Sequence, residues 1–129
     1  MNENQASRQS QLQKAIKDSD LKTFYELLAE CHFVNVKDEW GRTPLMTAAL
    51  YGNTEMVKAL LMSRARINER DEVGHTAIMF ACINGHMECL QTLLEFGANP
   101  YQKCDAGESA RSIAERLGRR DILEILSAG

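Results

Sequence analysis

Apolar residues along this chain fall into short helical runs separated by polar, glycine-bearing turns, and the arrangement repeats. The stretch DEWGRTPLMTAALYGNTEMVKALL, from Asp38 to Leu61, returns 33 residues later as DEVGHTAIMFACINGHMECLQTLL, from Asp71 to Leu94. Within the first copy, Asp38 to Arg42 predicts a turn carrying Gly41. Thr43 then stands where a helix wants a side-chain acceptor, and Pro44 stands in the first turn, where no amide donor is needed. Leu45, Ala48 and Ala49 predict a short helix with a narrow apolar face. Gly52 ends it, and a second helix over Thr54 to Ser63 carries Met56, Val57, Leu60 and Leu61 as a buried stripe. Helices this short are marginal alone, so packing against neighbours has to hold them.

The same spacing extends over the whole chain. Gly41, Gly74 and Gly107 align, as do Gly52, Gly85 and Gly118, with Ser19 taking the glycine position in the first unit. Ala15, Ala48, Ala81 and Ala114 form one series, and Leu27, Leu60, Leu93 and Leu126 another. A unit of this length cannot cover its own apolar face and must use the next one. The pattern resembles the ankyrin repeat, on the residues GRTPLMTAALYGNTEMVKALLMSRARIN and GHTAIMFACINGHMECLQTLLEFGANP, and more weakly on GESARSIAERLGRRDILEIL. The resemblance implies an all-α solenoid of helix-turn-helix units joined by β-turn or hairpin loops. It divides the single domain, 1–129, into a capping unit at about 8–37, internal units at 38–70 and 71–103, and a second capping unit at 104–129.

Departures from that family refine the expectation. Met46, Met79 and Ser112 occupy the place where the family usually has a bracing His, so these turns are expected to lean on packing more than on a polar brace. His86 matches the common Gly-His step and is given a structural role. Ser10 and Gln13 are expected to form a capping box for the first helix, SQLQKAIKD. Arg111 replaces the apolar Leu45 and Ile78, and with Arg116, Arg119 and Arg120 makes water the expected neighbour of the last unit. The chain is accordingly expected to be a complete short solenoid. Phe24, Tyr25, Phe80 and Phe96 are expected to fill gaps between helices, and RARINERDE, from Arg64 to Glu72, to be a solvated loop.

Composition narrows the function classes. At 129 residues and 44% hydrophobic content the chain can bury one real core. Its formal charge of -3 is spread without a basic tract, which argues against nucleic acid and against an anionic membrane surface. No apolar run is long enough to span a bilayer, and MNENQASRQSQ does not read as a signal peptide. Cys31, Cys82, Cys89 and Cys104 follow neither a zinc nor a disulfide spacing and are expected to be free thiols in a reducing compartment, cytoplasmic or nuclear. His32, His75 and His86 lie at three different offsets in the repeat, and no nucleophile-base or phosphate-loop motif accompanies them. A non-enzymatic protein without cofactor or metal is expected.

Function is therefore sought where the registers disagree. One set is at the turn tips: Glu39, Trp40 and Arg42; Glu72, Val73 and His75; Ala106 and Glu108. A second set ends the inner helices: Lys17 and Asp18, Leu50 and Tyr51, Ile83 and Asn84, Arg116 and Leu117. In an ankyrin-like arrangement both sets line one concave groove, in which Trp40, Leu50 and Tyr51 are expected to lie together with Arg42 at their edge. The reading is a module that binds a protein partner there, to mask, inhibit or scaffold it, and is a monomer when free. An architectural subunit or homodimer, using Phe24, Met56, Cys89 and Leu123 on the outer helices, and a microbial immunity or effector protein stay open as alternatives.

Overall fold

The structure is a computed structural model and describes residues 3–30 and 34–128. Cys31 and His32, named above, lie outside the described residues. Eight helices stand among those described: α1 (Glu3–Lys17), α2 (Leu21–Ala29), α3 (Pro44–Tyr51), α4 (Thr54–Met62), α5 (Ala77–Ile83), α6 (Met87–Glu95), α7 (Ala110–Leu117) and α8 (Arg120–Ala128). Each odd-numbered helix packs against the even-numbered one that follows it. The odd helices also pack in a row, α1 on α3 on α5 on α7, and the even ones in a second row behind them. This is the helix-turn-helix stack that the 33-residue period predicts.

The seam between the rows is continuous. Ala15, Ala48, Ala81 and Ala114 are all buried, and having no side chain beyond Cβ they let the second row approach the first. Leu60 and Leu93 are fully buried, and Leu27 and Leu126, each with one neighbouring unit among the described residues, partly so. Each completely buried leucine contributes about 1.5–3 kcal/mol of hydrophobic stabilisation. Phe24, Met56 and Cys89 also sit in this core at 0% exposure, and Leu123 packs against it. They are therefore unavailable as the outer-face patch that an architectural subunit was expected to use.

Local chemistry sets the helix ends. The Thr43 hydroxyl accepts from the Met46 amide at 3.3 Å, and the Met46 sulfur accepts from the Thr43 amide at 3.4 Å. Ser109 and Ser112 make the corresponding reciprocal pair on α7. The loss of the bracing His is thus made good locally at Met46 and Ser112, whereas Thr76 makes no side-chain cap on α5 and leaves its buried hydroxyl without a partner. Gly52 has φ +73°, and Ser19 adopts φ +54° at the same register, the left-handed step that turns one helix back on the other.

The first helix differs from expectation. α1 begins at Glu3, so Ser10 is inside it and no capping box forms with Gln13. Gln13 is instead buried between units: its amide donates to the Arg42 carbonyl at 3.3 Å and its carbonyl accepts from the Thr47 hydroxyl at 2.5 Å. It stands 33 residues before Met46 and is the polar brace that the later units lack. Tyr25 and Phe96 are likewise not gap fillers, being 42% and 45% exposed, while Phe24 and Phe80 are buried as expected.

Candidate partner-binding surface

Three turns project from the odd-numbered helices, each closed by its own backbone. The Gly41 amide donates to the Asp38 carbonyl at 3.0 Å and the Asp38 amide to the Arg42 carbonyl at 2.9 Å, with the same pairs at 71–75 and 104–108. Asp38 Oδ1 also accepts the amides of Trp40 and Arg42, both at 2.9 Å, and Asp71 Oδ1 those of Val73 and His75. An aspartate that accepts backbone amides two and four residues on fixes a tight turn without help from a sheet. These are β-turns, and no strand is assigned among the described residues. Successive turns are tied by one backbone bond each: the Glu72 amide to the Trp40 carbonyl at 3.2 Å, and the Asp105 amide to the Val73 carbonyl at 3.0 Å.

The tips carry exposed apolar side chains. Trp40 is 50% exposed and Val73, at the same register one unit later, 52%. The Trp40 ring lies under two cations, Lys17 Nζ at 5.9 Å and the Arg42 guanidinium at 5.5 Å from its centre. Such contacts are worth about 0.5–1 kcal/mol at exposed sites and hold the indole in place. Arg42 is also 5.3 Å from the Phe80 ring, which in turn stands 5.6 Å from His75. Lys17, Trp40, Arg42, Phe80 and His75 thus run as one line of contacts across three units.

Tyr51, also 50% exposed, closes α3, but among the described residues no ring pair joins it to Trp40. The indole's ring contacts are Arg42, as expected, and Lys17. Leu50 is half-buried, and its carbonyl accepts from Asn84 Nδ2 at 2.7 Å and bonds His86 Nε2 at 3.1 Å. Asn84 therefore has an internal task, and His86 the structural one expected of it. Ile83 repeats the motif, its carbonyl accepting from Arg119 at 2.9 Å. Glu39 and Glu72 are exposed on the tips. Glu108 is held by Arg116 at 2.9 and 3.2 Å, and that guanidinium keeps its carboxyl below the ordinary value. His75 stays near its own turn, 3.8 Å from Asp71.

The stretch from Arg64 to Glu72 is more than solvated filler. Lys37, Arg70 and Lys103 stand 33 residues apart; Lys37 donates to the Arg70 carbonyl at 2.8 Å and Arg70 to the Lys103 carbonyl at 2.7 Å. Asn35 and Asn68 accept the amides of Arg66 and Asn99 in the same way, at 2.6 and 2.9 Å. The recurrence of a cation and an asparagine at fixed register was the signal in the sequence; Gln13, Tyr25, Asn84 and His86 bridge units outside it.

Chemistry of other kinds finds little here. Among the described residues no group of three His, Cys, Asp or Glu side chains is placed to hold a metal ion, and no helix is long and apolar enough to cross a membrane. Cys82, Cys89 and Cys104 are free and buried, and burial pushes the Cys82 thiol up to about 12. A family model described as ankyrin repeats, in three copies, matches residues 1–71 and again 63–129. No curated protein matches the chain.

Proposed function

This chain belongs to the ankyrin-repeat family, and on that premise we propose that it grips one partner protein across the turn tips and the ends of the odd-numbered helices. It is a non-catalytic, helix-rich repeat module, and modules of this kind act as protein-interaction scaffolds. The observation that carries the reading is the line of side chains from Lys17 through Trp40 and Arg42, continued by Val73 at the next tip and flanked by Tyr51. Trp, Tyr and Arg are the residues through which interfaces commonly gain their largest individual contributions. Glu39, Glu72 and Glu108 supply charge around this apolar line and His75 a polar side chain, and Ile83 and Asn84 extend it at the end of α5. The free, buried thiols fit a reducing compartment, cytoplasmic or nuclear.

On this reading units 8–37 and 104–129 close the ends of a stack whose inner units are 38–70 and 71–103, and the free protein is a monomer. Arg111, at the register of the buried Leu45 and Ile78, is exposed and bonds Glu115 and Ser127, which supports a capping role for the last unit. The partner is masked, inhibited or held in place by being covered. The test is affinity capture from the source cell with the wild-type chain and with Trp40→Ala plus Tyr51→Ala. Both side chains are half-exposed, so the variant keeps its circular dichroism and melting temperature while its partner is lost. Retention of the partner by a folded double variant refutes the proposal.

A further inference from the structure

Asn84-Gly85 is the one place in the chain where an asparagine is followed by glycine. Asparagine is a chemically labile side chain, and a glycine after it leaves the next backbone nitrogen without a Cβ to shield it. Asn84 stands at the end of α5 and is exposed, so water reaches it. The other units place Asp18, Tyr51 and Leu117 at this register, so the labile pair belongs to the third unit alone.

The packed structure holds this pair unreactive in three ways. Asn84 Nδ2 donates to the Leu50 carbonyl of the preceding unit at 2.7 Å, which commits the side chain to the junction. The Gly85 amide donates to the Cys82 carbonyl at 3.3 Å. Asn84 has ψ 3°, which eclipses its own backbone nitrogen with that of Gly85 and leaves Cβ out of their common plane. A five-membered ring through Cβ, Cγ and the Gly85 nitrogen needs Cβ in that plane. It cannot close until the turn between α5 and α6 opens.

We propose that Asn84 is a deamidation site gated by the junction between the second and third units, and that its reaction cuts the tether to Leu50 irreversibly. Once the turn opens, the Gly85 nitrogen gives its proton to hydroxide and attacks Asn84 Cγ. A new Cγ–N bond forms, the Cγ–Nδ2 bond breaks, and Nδ2 leaves as ammonia after taking a proton from water. Water then opens the cyclic imide at either of its carbonyls, leaving an aspartate or an isoaspartate. One water is consumed and one ammonia released, with no oxidation or reduction.

Both products lack the Nδ2 donor, so the Leu50 carbonyl keeps only His86, and the aspartate sets a carboxylate against that carbonyl. Asp18 holds the same register before the left-handed Ser19, so an aspartate is compatible with the turn and this product loses only the bond between units. Isoaspartate adds a methylene to the main chain and also displaces the start of α6. Loss of ammonia makes the change one-way, so the chain accumulates a record of how often its second and third units part. This inference stands apart from the partner-binding reading and requires no partner.

The whole chain is incubated at neutral pH with and without denaturing urea, then digested with trypsin. The peptide spanning residues 71–103 is followed by mass spectrometry, with fragmentation to place the change. Asn84 is expected to deamidate at least about 10-fold more slowly in the folded chain than in urea, since the reaction tracks the open fraction. His86→Ala removes the other donor to Leu50; it should raise the folded rate by about 5-fold and leave the rate in urea unchanged. Equal rates in folded and unfolded chains overturn the inference, as do an unreactive Asn84 in urea and a folded rate that His86→Ala leaves unmoved. Asn84→Asp reports on the product. Its His86 amide, which bonds the Ala81 carbonyl, should exchange with deuterium about 5-fold faster than in the wild-type chain. Unchanged exchange there overturns the claim that deamidation loosens the junction.

Discussion

Three glycines in the same left-handed conformation face three different neighbours, and replacing each by alanine separates the cost of conformation from that of contact between units. Gly52, Gly85 and Gly118 have φ of +73°, +72° and +68°. A Cβ on Gly118 meets nothing within 4 Å, one on Gly85 comes 3.2 Å from the Arg119 guanidinium, and one on Gly52 falls 2.4 Å from His86 Nδ1. An L side chain in this region costs ~1–2 kcal/mol, offset in part by the lower entropy of the unfolded alanine chain, which leaves about 1 kcal/mol for Gly118→Ala. Gly85→Ala adds little, because the long Arg119 side chain can shift. Gly52→Ala must push aside a ring packed on the backbone and break its bond to the Leu50 carbonyl, adding about 1–1.5 kcal/mol. At roughly 4 °C per kcal/mol for a chain of this size, the melting temperature falls by about 4 °C for Gly118→Ala and about 8–10 °C for Gly52→Ala. Urea unfolding followed by circular dichroism measures the series. In a His86→Ala background the cost of Gly52→Ala should drop to that at Gly118. Equal costs at positions 52 and 118, within about 0.5 kcal/mol, would refute the claim that His86 ties the second unit to the third.

Gln13→Ala removes both bonds across the first junction and leaves the buried Thr47 hydroxyl only its longer bond to the Thr43 carbonyl, at 3.4 Å, so a loss of about 1–2 kcal/mol is expected in the same unfolding assay; a loss below about 0.5 kcal/mol would contradict the bracing role. Cys82 gives a pH dependence. Its folded thiol stays neutral up to about 12 because it is buried, against an ordinary value of 9.0, so above pH 9 the unfolded state binds fewer protons than the folded one. That contribution to stability is complete below pH 9 and declines from pH 9 towards 12, by up to about 1.4 kcal/mol per pH unit. The same burial should keep Cys82 from reacting with a thiol reagent at pH 8 until urea is added, and rapid labelling of the native chain would contradict it.

The sequence by itself determined the helices and their order. Turn glycines, Thr43 with Pro44, the alanine and leucine series and the 33-residue spacing all act within a unit or recur in every unit, and each is local chain chemistry that one copy confirms in the next. Even Ser19 could be placed at a glycine position by register alone, and it adopts the left-handed backbone found there.

What only the tertiary structure decided lies between units and at places where the repeat breaks. Gln13 read as a local cap because a three-residue spacing is visible in a string, whereas its bond to Thr47 spans 34 residues and exists only once α1 and α3 are packed. Trp40 was evidently unusual and Arg42 was expected beside it, yet its contact with Lys17 follows from how the turn leans on α1, and Phe24, Met56 and Cys89, on the second row of helices, proved to be buried inside the stack. Periodicity specifies what successive units share, since the same local energies act in each. The bridges between units are set by relative placement, which no single unit contains.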